Sequence, residues 1–518
     1  YGMVELPGGR MKSREESPKA VSQQTGSGRS RTRGQFFAAA LLVGIGLVVA
    51  LAACNQARPP TAVDSEADAD TIPRSGKEIG TQPPAHRTPA VESAAATFDL
   101  GGIAAMHKHA VPPTGPMPSV DRERYAEIDS HGVTAVTSQP VSTFSIDVDT
   151  GAYSNLRRML QEGRLPVRDA VRIEELINYF AYKDPRPAGR DVPLRVTATM
   201  APTPWNADTR LLRIALRAWD VPRQDLPPSN LVFLIDVSGS MNSPDKLPLL
   251  KRSIKLLTRR MDADDRISLV VYAGAAGVVL EPTAGDRQAT IEAALDQLSA
   301  GGSTHGSAGI RLAYAKARES LVDGGINRVI LATDGDFNVG TVDQRALVDL
   351  IERERAAGIA LTTLGFGRGN LNDQLMEQLA DHGNGNYAYI DNLLEAQKVL
   401  VEQMGGTLLT VAKDVKIQVE FNPTQVASYR LIGYENRMLR REDFNNDRVD
   451  AGDIGAGHTV TALYELKLVG SGSLLVDPLR YGAALSPKGG DKDELGHFRL
   501  RYKAPGADTS RLIERSLL

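Results

Sequence analysis

A single cysteine, Cys54, stands in 518 residues. No internal disulfide is possible, so whatever folds must hold by its core alone. Aromatic residues are scarce at 5%, and no base-stacking platform is evident. The formal net charge is −3, with no long basic block after residue 55, which argues against a nucleic-acid surface. Two reactive signatures are also missing. No G-x-x-x-x-G-K-[ST] phosphate loop occurs, and the serines singled out below lack the G-x-S-x-G setting of serine hydrolases. The remainder is ordinary for globular protein, with 42% hydrophobic and 24% charged residues and length enough for several domains.

The most informative stretch is Leu231-Val232-Phe233-Leu234-Ile235-Asp236-Val237-Ser238-Gly239-Ser240-Met241. A continuous apolar run reads as a strand buried on both faces of a parallel sheet. Asp236 closes it at the carboxyl end, the edge where open α/β sheets bind ligands. Asp236, Ser238 and Ser240 alternate, and Gly239 allows a tight turn between the serines. One carboxylate and two hydroxyls then converge as hard oxygen donors. Such a set suits Mg²⁺, Mn²⁺ or Ca²⁺ rather than Zn²⁺. Two later stretches offer further donors: Gly301-Gly302-Ser303-Thr304-His305-Gly306 supplies the Thr304 hydroxyl, and Arg328-Val329-Ile330-Leu331-Ala332-Thr333-Asp334-Gly335 is a second apolar strand ending in a carboxylate.

Taken in order, Asp236, Ser238, Ser240, Thr304 and Asp334 resemble the metal-ion-dependent adhesion site of von Willebrand factor type A domains, D-x-S-x-S then T then D. The resemblance implies that the serines ligate a divalent cation directly, with Thr304 direct or water-bridged. It implies that the aspartates act directly or through water, and that an open position accepts a glutamate or aspartate from a protein partner. The bland alternative is a capped turn plus an unrelated T-D-G turn. The surrounding pattern of strands alternating with helices, from about Asn230 to Met404, predicts a doubly wound parallel sheet.

Toward the N-terminus, Arg29, Arg31 and Arg33 precede an unbroken apolar or glycine run from Phe36 to Ala53, which ends Leu51-Ala52-Ala53-Cys54. This has the shape of a signal peptide. Its last four residues resemble a bacterial lipobox, which implies lipidation of Cys54 and a mature chain beginning there. An uncleaved transmembrane helix is the alternative. Asn55 in place of aspartate favours outer-membrane over inner-membrane sorting, so a periplasm-facing, lipid-anchored protein of the bacterial cell envelope is expected. Residues 55–140 are rich in Ala, Pro, Thr, Ser and Asp and read as a disordered tether.

Flanking modules are expected at 141–229 and 405–518, both β-rich. In the first, helices are predicted over Ala152–Gln161 and Arg172–Tyr182. The Asp147-x-Asp149 pair invites comparison with haloacid-dehalogenase phosphatases, but Gly151 breaks that motif. Strands are predicted over Val415–Phe421, Ser428–Ile432, Thr459–Leu468 and His497–Tyr502, with a short helical start before Leu518. The Arg441–Asp453 loop superficially suggests an EF-hand but has Arg448 and Ile454 where glycine and glutamate belong. Phe144 through Arg172-Ile173-Glu174-Glu175-Leu176-Ile177-Asn178-Tyr179-Phe180 resembles the N-terminal module that accompanies bacterial von Willebrand A lipoproteins, and Phe421-Asn422-Pro423-Thr424-Gln425-Val426 with Tyr429-Arg430-Leu431-Ile432-Gly433-Tyr434-Glu435-Asn436-Arg437 resembles the C-terminal domain of the YfbK-type lipoproteins, a family that usually continues further.

The expected function is therefore metal-bridged capture of an acidic protein partner, for adhesion, assembly or scaffolding, and not enzymatic turnover. A metal-dependent hydrolase is the rival, with His305 the one histidine near the site, and a structural envelope protein with an unused site is a third reading.

Overall fold

The computed structural model describes residues 122–303, 306–335, 337, 344–403, 406, 408–472, 476 and 493–518. The lipobox with Cys54, together with Thr304 and His305, lies outside these. Among the described residues no helix is long and apolar enough to cross a membrane.

In chain order the first elements are β1 (Thr134–Ala135), β2 (Val141–Ser145), α1 (Gly151–Gln161), α2 (Ile173–Asn178), β3 (Leu194–Thr203) and β4 (Asn206–Ala218). The central segment contains β5 (Ser229–Asp236), α3 (Leu247–Thr258), β6 (Arg266–Tyr272), β7 (Ala276–Ala284), α4 (Gln288–Gln297), α5 (Gly306–Glu319), β8 (Ile326–Thr333), α6 (Gln344–Ala356), β9 (Ala360–Phe366), α7 (Asp373–His382), β10 (Tyr387–Ile390) and α8 (Leu393–Gln397). Then come β11 (Thr410–Phe421), β12 (Val426–Ile432), β13 (Ile454–Gly455), β14 (Thr459–Leu468), β15 (Gly496–Lys503) and β16 (Ser510–Leu517).

The central sheet has the order β10-β9-β8-β5-β6-β7. It is parallel except at one edge, where β7 runs antiparallel to β6, so the sheet is mixed rather than wholly parallel. Both faces are covered. Leu231, Phe233 and Ile235 of β5 join a core with Leu250 and Ile254 of α3 and Ile291 of α4. The alternate residues Val232 and Leu234 pack with Ile310 of α5, Ile351 of α6 and Met376 of α7. That alternation explains the uninterrupted apolar run: each residue of β5 is buried, whichever face it takes. Truncating a fully buried side chain such as Phe233→Ala costs about 3–5 kcal/mol through lost transfer energy and cavity formation.

The two flanks, expected as separate modules, interleave instead. One sheet runs β1-β12-β14-β4-β3, and a second contains β13-β11-β15-β16 with β2 paired to β11. N-terminal strands therefore complete both C-terminal sheets. The two sheets share one hydrophobic core that spans Phe144, Ile214, Val419, Tyr464 and Phe498. Phe421 of β11 meets Tyr464 of β14 edge-on, with centroids 5.2 Å apart. Each sheet therefore draws strands from both flanks, and neither flank forms either sheet by itself.

Three further expectations are corrected. The tether does not extend to residue 140: β1 pairs with β12, and Arg122 and Arg124 hydrogen-bond along residues 369–373. The helix expected over 172–182 stops at Asn178, because Tyr179 stacks on Tyr153 at 3.8 Å and Phe180 meets the same ring edge-on. The C-terminal segment is not helical. β16 pairs with β15 along its whole length, where an available sheet edge satisfies a backbone too short to nucleate an independent helix.

Candidate metal centre

The chain runs from β5 to β6 on one side and returns to β8 on the other. The carboxyl ends of β5 and β8 therefore flank the point where strand order reverses, the place where such sheets open a crevice. Asp236 is the last residue of β5, and Asp334 follows β8 directly. Strand pairing sets the two ends side by side, with Ile235 opposite Ala332. Both aspartates are fully buried.

Neutral donors hold Asp236. Its Oδ1 accepts from the Ser238 backbone N–H at 2.8 Å. Its Oδ2 accepts from Thr333 Oγ1 at 3.0 Å and from the Tyr272 hydroxyl at 3.2 Å. Burial, with the negative charge of Asp334 nearby, pushes its carboxyl up to about 6. A buried carboxyl beside a second one is pushed toward its neutral form.

The loop after Asp236 is shaped by backbone bonds. Val237 N–H donates to Tyr272 O at 3.0 Å, and Met241 N–H donates to Ser238 O at 3.0 Å to form a single 3₁₀ turn. That turn brings the hydroxyls of Ser238 and Ser240 to 3.1 Å from one another. The loop before α5 docks on the same turn, because Gly239 N–H donates to Gly302 O at 3.1 Å and Gly301 N–H to Val237 O at 2.7 Å. Thr304 itself lies outside the described residues, but the loop that carries it is tied to the serine turn at Gly301 and Gly302.

Asp334 has a partner that no local motif marks. Lys246, preceding α3 and only 6% exposed, places its Nζ 2.8 Å from Asp334 Oδ2. Gly335 has φ +98 and packs against the backbone of Asn370 to Asn372, where any Cβ would clash. Behind that segment runs Arg122–Arg124: Arg124 N–H donates to Leu371 O at 2.8 Å, and Asp373 N–H donates to Arg124 O at 3.0 Å. The only sequence signal for Lys246 is its place shortly after the serine turn. No sequence pattern marks Arg122–Arg124, which sit at the end of a polar stretch.

Among the described residues no group of three or more His, Cys, Asp or Glu side chains is placed to hold a metal ion. The donor set here is of another kind, hydroxyls with two carboxylates. Its chemistry fits a hard divalent cation: the paired serine oxygens offer lone pairs at one point, and the two buried carboxylates are offset by only one positive charge, that of Lys246. A cleft of about 610 Å³, lined by Tyr179, Arg217, Lys398 and His458 among others, includes none of Asp236, Ser238, Ser240 or Asp334.

The Asp147-x-Asp149 pair is structural. Arg437 Nε donates to Asp147 Oδ2 at 3.1 Å, and Asp149 Oδ1 accepts from Tyr387 N–H at 2.9 Å. Residues 441–445 of the EF-hand-like loop form a 3₁₀ helix instead.

A sheet wound on both faces, with D-x-S-x-S after one central strand and T-D-G after its neighbour, defines a von Willebrand factor type A domain. That family matches residues 230–403. A family described as von Willebrand factor matches residues 119–213, and one described as uncharacterized protein YfbK, C-terminal, matches residues 406–518. The chain is 48% identical over 398 residues to the uncharacterized protein YfbK of Escherichia coli (strain K12), spanning 76% of this chain and 69% of that protein. It belongs to the YfbK family. It is also similar to human inter-alpha-trypsin inhibitor heavy chain H3, at 25% identity over 268 residues, covering 47% of this chain but 29% of that one. Among solved structures it resembles a von Willebrand factor type A protein from Catenulispora acidiphila, at 17% identity and a TM-score of 0.38, over 59% of this chain and 68% of that one. Von Willebrand factor type A domains typically mediate protein–protein interaction.

Proposed function

We propose that the central domain holds one divalent cation, Mg²⁺ or else Mn²⁺ or Ca²⁺, at Asp236, Ser238, Ser240, Thr304 and Asp334, and through it captures an acidic side chain of a protein partner. The observation that carries this reading is the pair of serine hydroxyls 3.1 Å apart, set beside two buried carboxylates at the switch point of the sheet. When bound, the cation supplies the positive charge that attracts a carboxylate. The chain's own residues do the rest. Ser238 and Ser240 present oxygens, Thr333 and Tyr272 fix the orientation of Asp236, and the sheet keeps these groups away from bulk water.

Turnover is not part of this reading, because hydrolysis would also need a positioned base or nucleophile. The test uses the immobilised full chain and an envelope extract, with captured proteins identified and then re-purified for direct binding. A partner whose binding is lost with chelator and in Asp236→Ala supports the proposal. Metal-dependent hydrolysis of a phosphoester or peptide panel, absent from both Asp236→Ala and His305→Ala, would replace it with catalysis.

The same proposal places the protein in the bacterial envelope, periplasm-facing and anchored by lipid on Cys54, on the strength of Leu51-Ala52-Ala53-Cys54. Each buried CH₂ of an acyl chain contributes about 0.8 kcal/mol of membrane affinity. Intact-mass analysis should find an acylated chain beginning at Cys54, and Cys54→Ser should leave the membrane fraction. A mature chain that retains the residues before Cys54 would contradict this.

A further inference from the structure

Lys246 is held in place at both ends. Its backbone N–H donates to Ser243 O at 3.0 Å, and its carbonyl accepts from Leu250 N–H at 2.9 Å, so it opens α3. Its aliphatic stem runs directly over Gly367, which has φ +66 and where any Cβ would collide with that stem. The Tyr389 hydroxyl donates to Gly367 O at 2.6 Å and fixes the loop beneath the lysine. The ammonium then meets Asp334 at 2.8 Å, with side-chain exposures of 7% and 0%. This is a built contact. Placing a lysine there is unfavourable unless its charge has a use, because desolvating an ammonium costs several kcal/mol.

Its effect is on the charge of the site. Asp236 and Asp334 alone would sum to two negative charges, and a divalent cation would bring such a site to neutrality. With Lys246 included the set carries one negative charge, and the same cation leaves it one positive. A neutral centre has little reason to recruit an anion, whereas a positive one in a buried setting attracts a carboxylate strongly.

We propose that Lys246 is a charge-setting and positioning residue: it weakens the site's hold on the metal and strengthens the metal-loaded site's hold on a single carboxylate. This rests on the metal-site reading above and deepens it by specifying a monoanionic partner group.

The experiment uses the full chain with Mn²⁺ alone, followed by water-proton relaxation, and then acetate as the carboxylate probe. Lys246→Gln keeps an N–H donor for Asp334 but removes the charge. Lys246→Met, read in parallel, keeps the stem over Gly367. Circular dichroism establishes which variants are folded, and the proposal requires the same direction from each that is. The expected result is Mn²⁺ binding tighter by about tenfold or more, with acetate needed at about tenfold higher concentration to displace metal-bound water. Lys246→Arg should behave as the native chain. Mn²⁺ affinity that is unchanged or weaker in Lys246→Gln would overturn the proposal and leave Lys246 as a prop for Asp334. The metal-site reading fails separately, if the native chain shows no Mn²⁺ relaxation enhancement or if Asp236→Ala shows the same enhancement.

Discussion

Two clusters of buried carboxylates lie within a few residues of each other, and they are built to opposite plans. At the carboxyl edge of β5 and β8, Asp236 and Asp334 are met by hydroxyls, a backbone N–H and one lysine. At the junction between α7 and the flanking body, the buried Glu175, Asp373, Glu377 and Asp147, with the exposed Asp381 at the rim, are met by two arginines. Arg172 pairs with Glu175 and Asp373. Arg437 reaches Asp147 at 3.1 Å, Glu377 at 3.2 Å and Asp381 at 2.5 Å. The planar, multidentate guanidinium closes a carboxylate cluster. At the edge, hydroxyls and a single lysine take the place of the guanidinium groups. On the proposed reading, the kind of donor facing the carboxylates, and not their number, separates a joint from a binding edge.

The sharpest way to break this contrast is at the joint. Arg172→Met leaves Glu175 and Asp373, both fully buried, without their partner, and should destabilise the fold by about 3–5 kcal/mol. Urea denaturation reads this directly, and a loss below about 1 kcal/mol would mean that the joint is not a stabilising closure.

At the edge, removing a carboxylate should act on ligand linkage instead. Excess Mn²⁺ at about 100 times Kd should stabilise the native chain by ~2.7 kcal/mol, seen as a higher Tm. Asp334→Ala should abolish that rise. A rise of unchanged size in the variant would move the metal elsewhere.

Acidity sharpens the comparison further. Burial pushes Glu377 up to about 7, against the opposing pull of Arg172 and Arg437. Its folded value exceeds its ordinary one, so the native state holds the proton longer. The contribution of Glu377 to stability is full below about 4.5 and declines as pH rises toward about 7. Glu377→Gln should flatten that decline by roughly 1–3 kcal/mol, in Tm series at pH 5 and 7.5. Parallel pH series for the native chain and the variant would show that the arginines already keep Glu377 ionised.

The smallest expected change in stability belongs to Ser240→Ala, within about ±0.5 kcal/mol, since the hydroxyl lies on a turn rather than in the core. The same variant should nonetheless weaken Mn²⁺ binding measurably by calorimetry. A large loss of stability without any change in Mn²⁺ binding would make the serine turn a structural cap.

Much of the central domain was legible in the sequence. The run Leu231–Asp236 is apolar at each position before the aspartate because alternate residues face two cores, and its end falls at the switch point for the same topological reason. Local patterning could not show the interleaving of the flanks. β2 pairs with β11 and β4 with β14 across more than two hundred residues of chain, and nothing within either segment names its partner. The antiparallel edge at β7 is likewise a property of pairing and not of composition. At the site, the residues of the D-x-S-x-S loop could be named from spacing, whereas Lys246, Thr333 and Tyr272 reach the aspartates only through the fold. A charged residue at a helix start reads as solvated until Gly367 is seen beneath it.

On the proposed reading the open edge, and not the closed joint, takes a divalent cation. Anomalous diffraction from crystals equilibrated with Mn²⁺ tests it most directly. One dominant Mn²⁺ peak is expected at about 2–2.5 Å from the Ser238 and Ser240 hydroxyl oxygens, with Asp236 and Asp334 around it. A dominant peak among Asp147, Glu377 and Asp381, or none at saturating Mn²⁺, would contradict it.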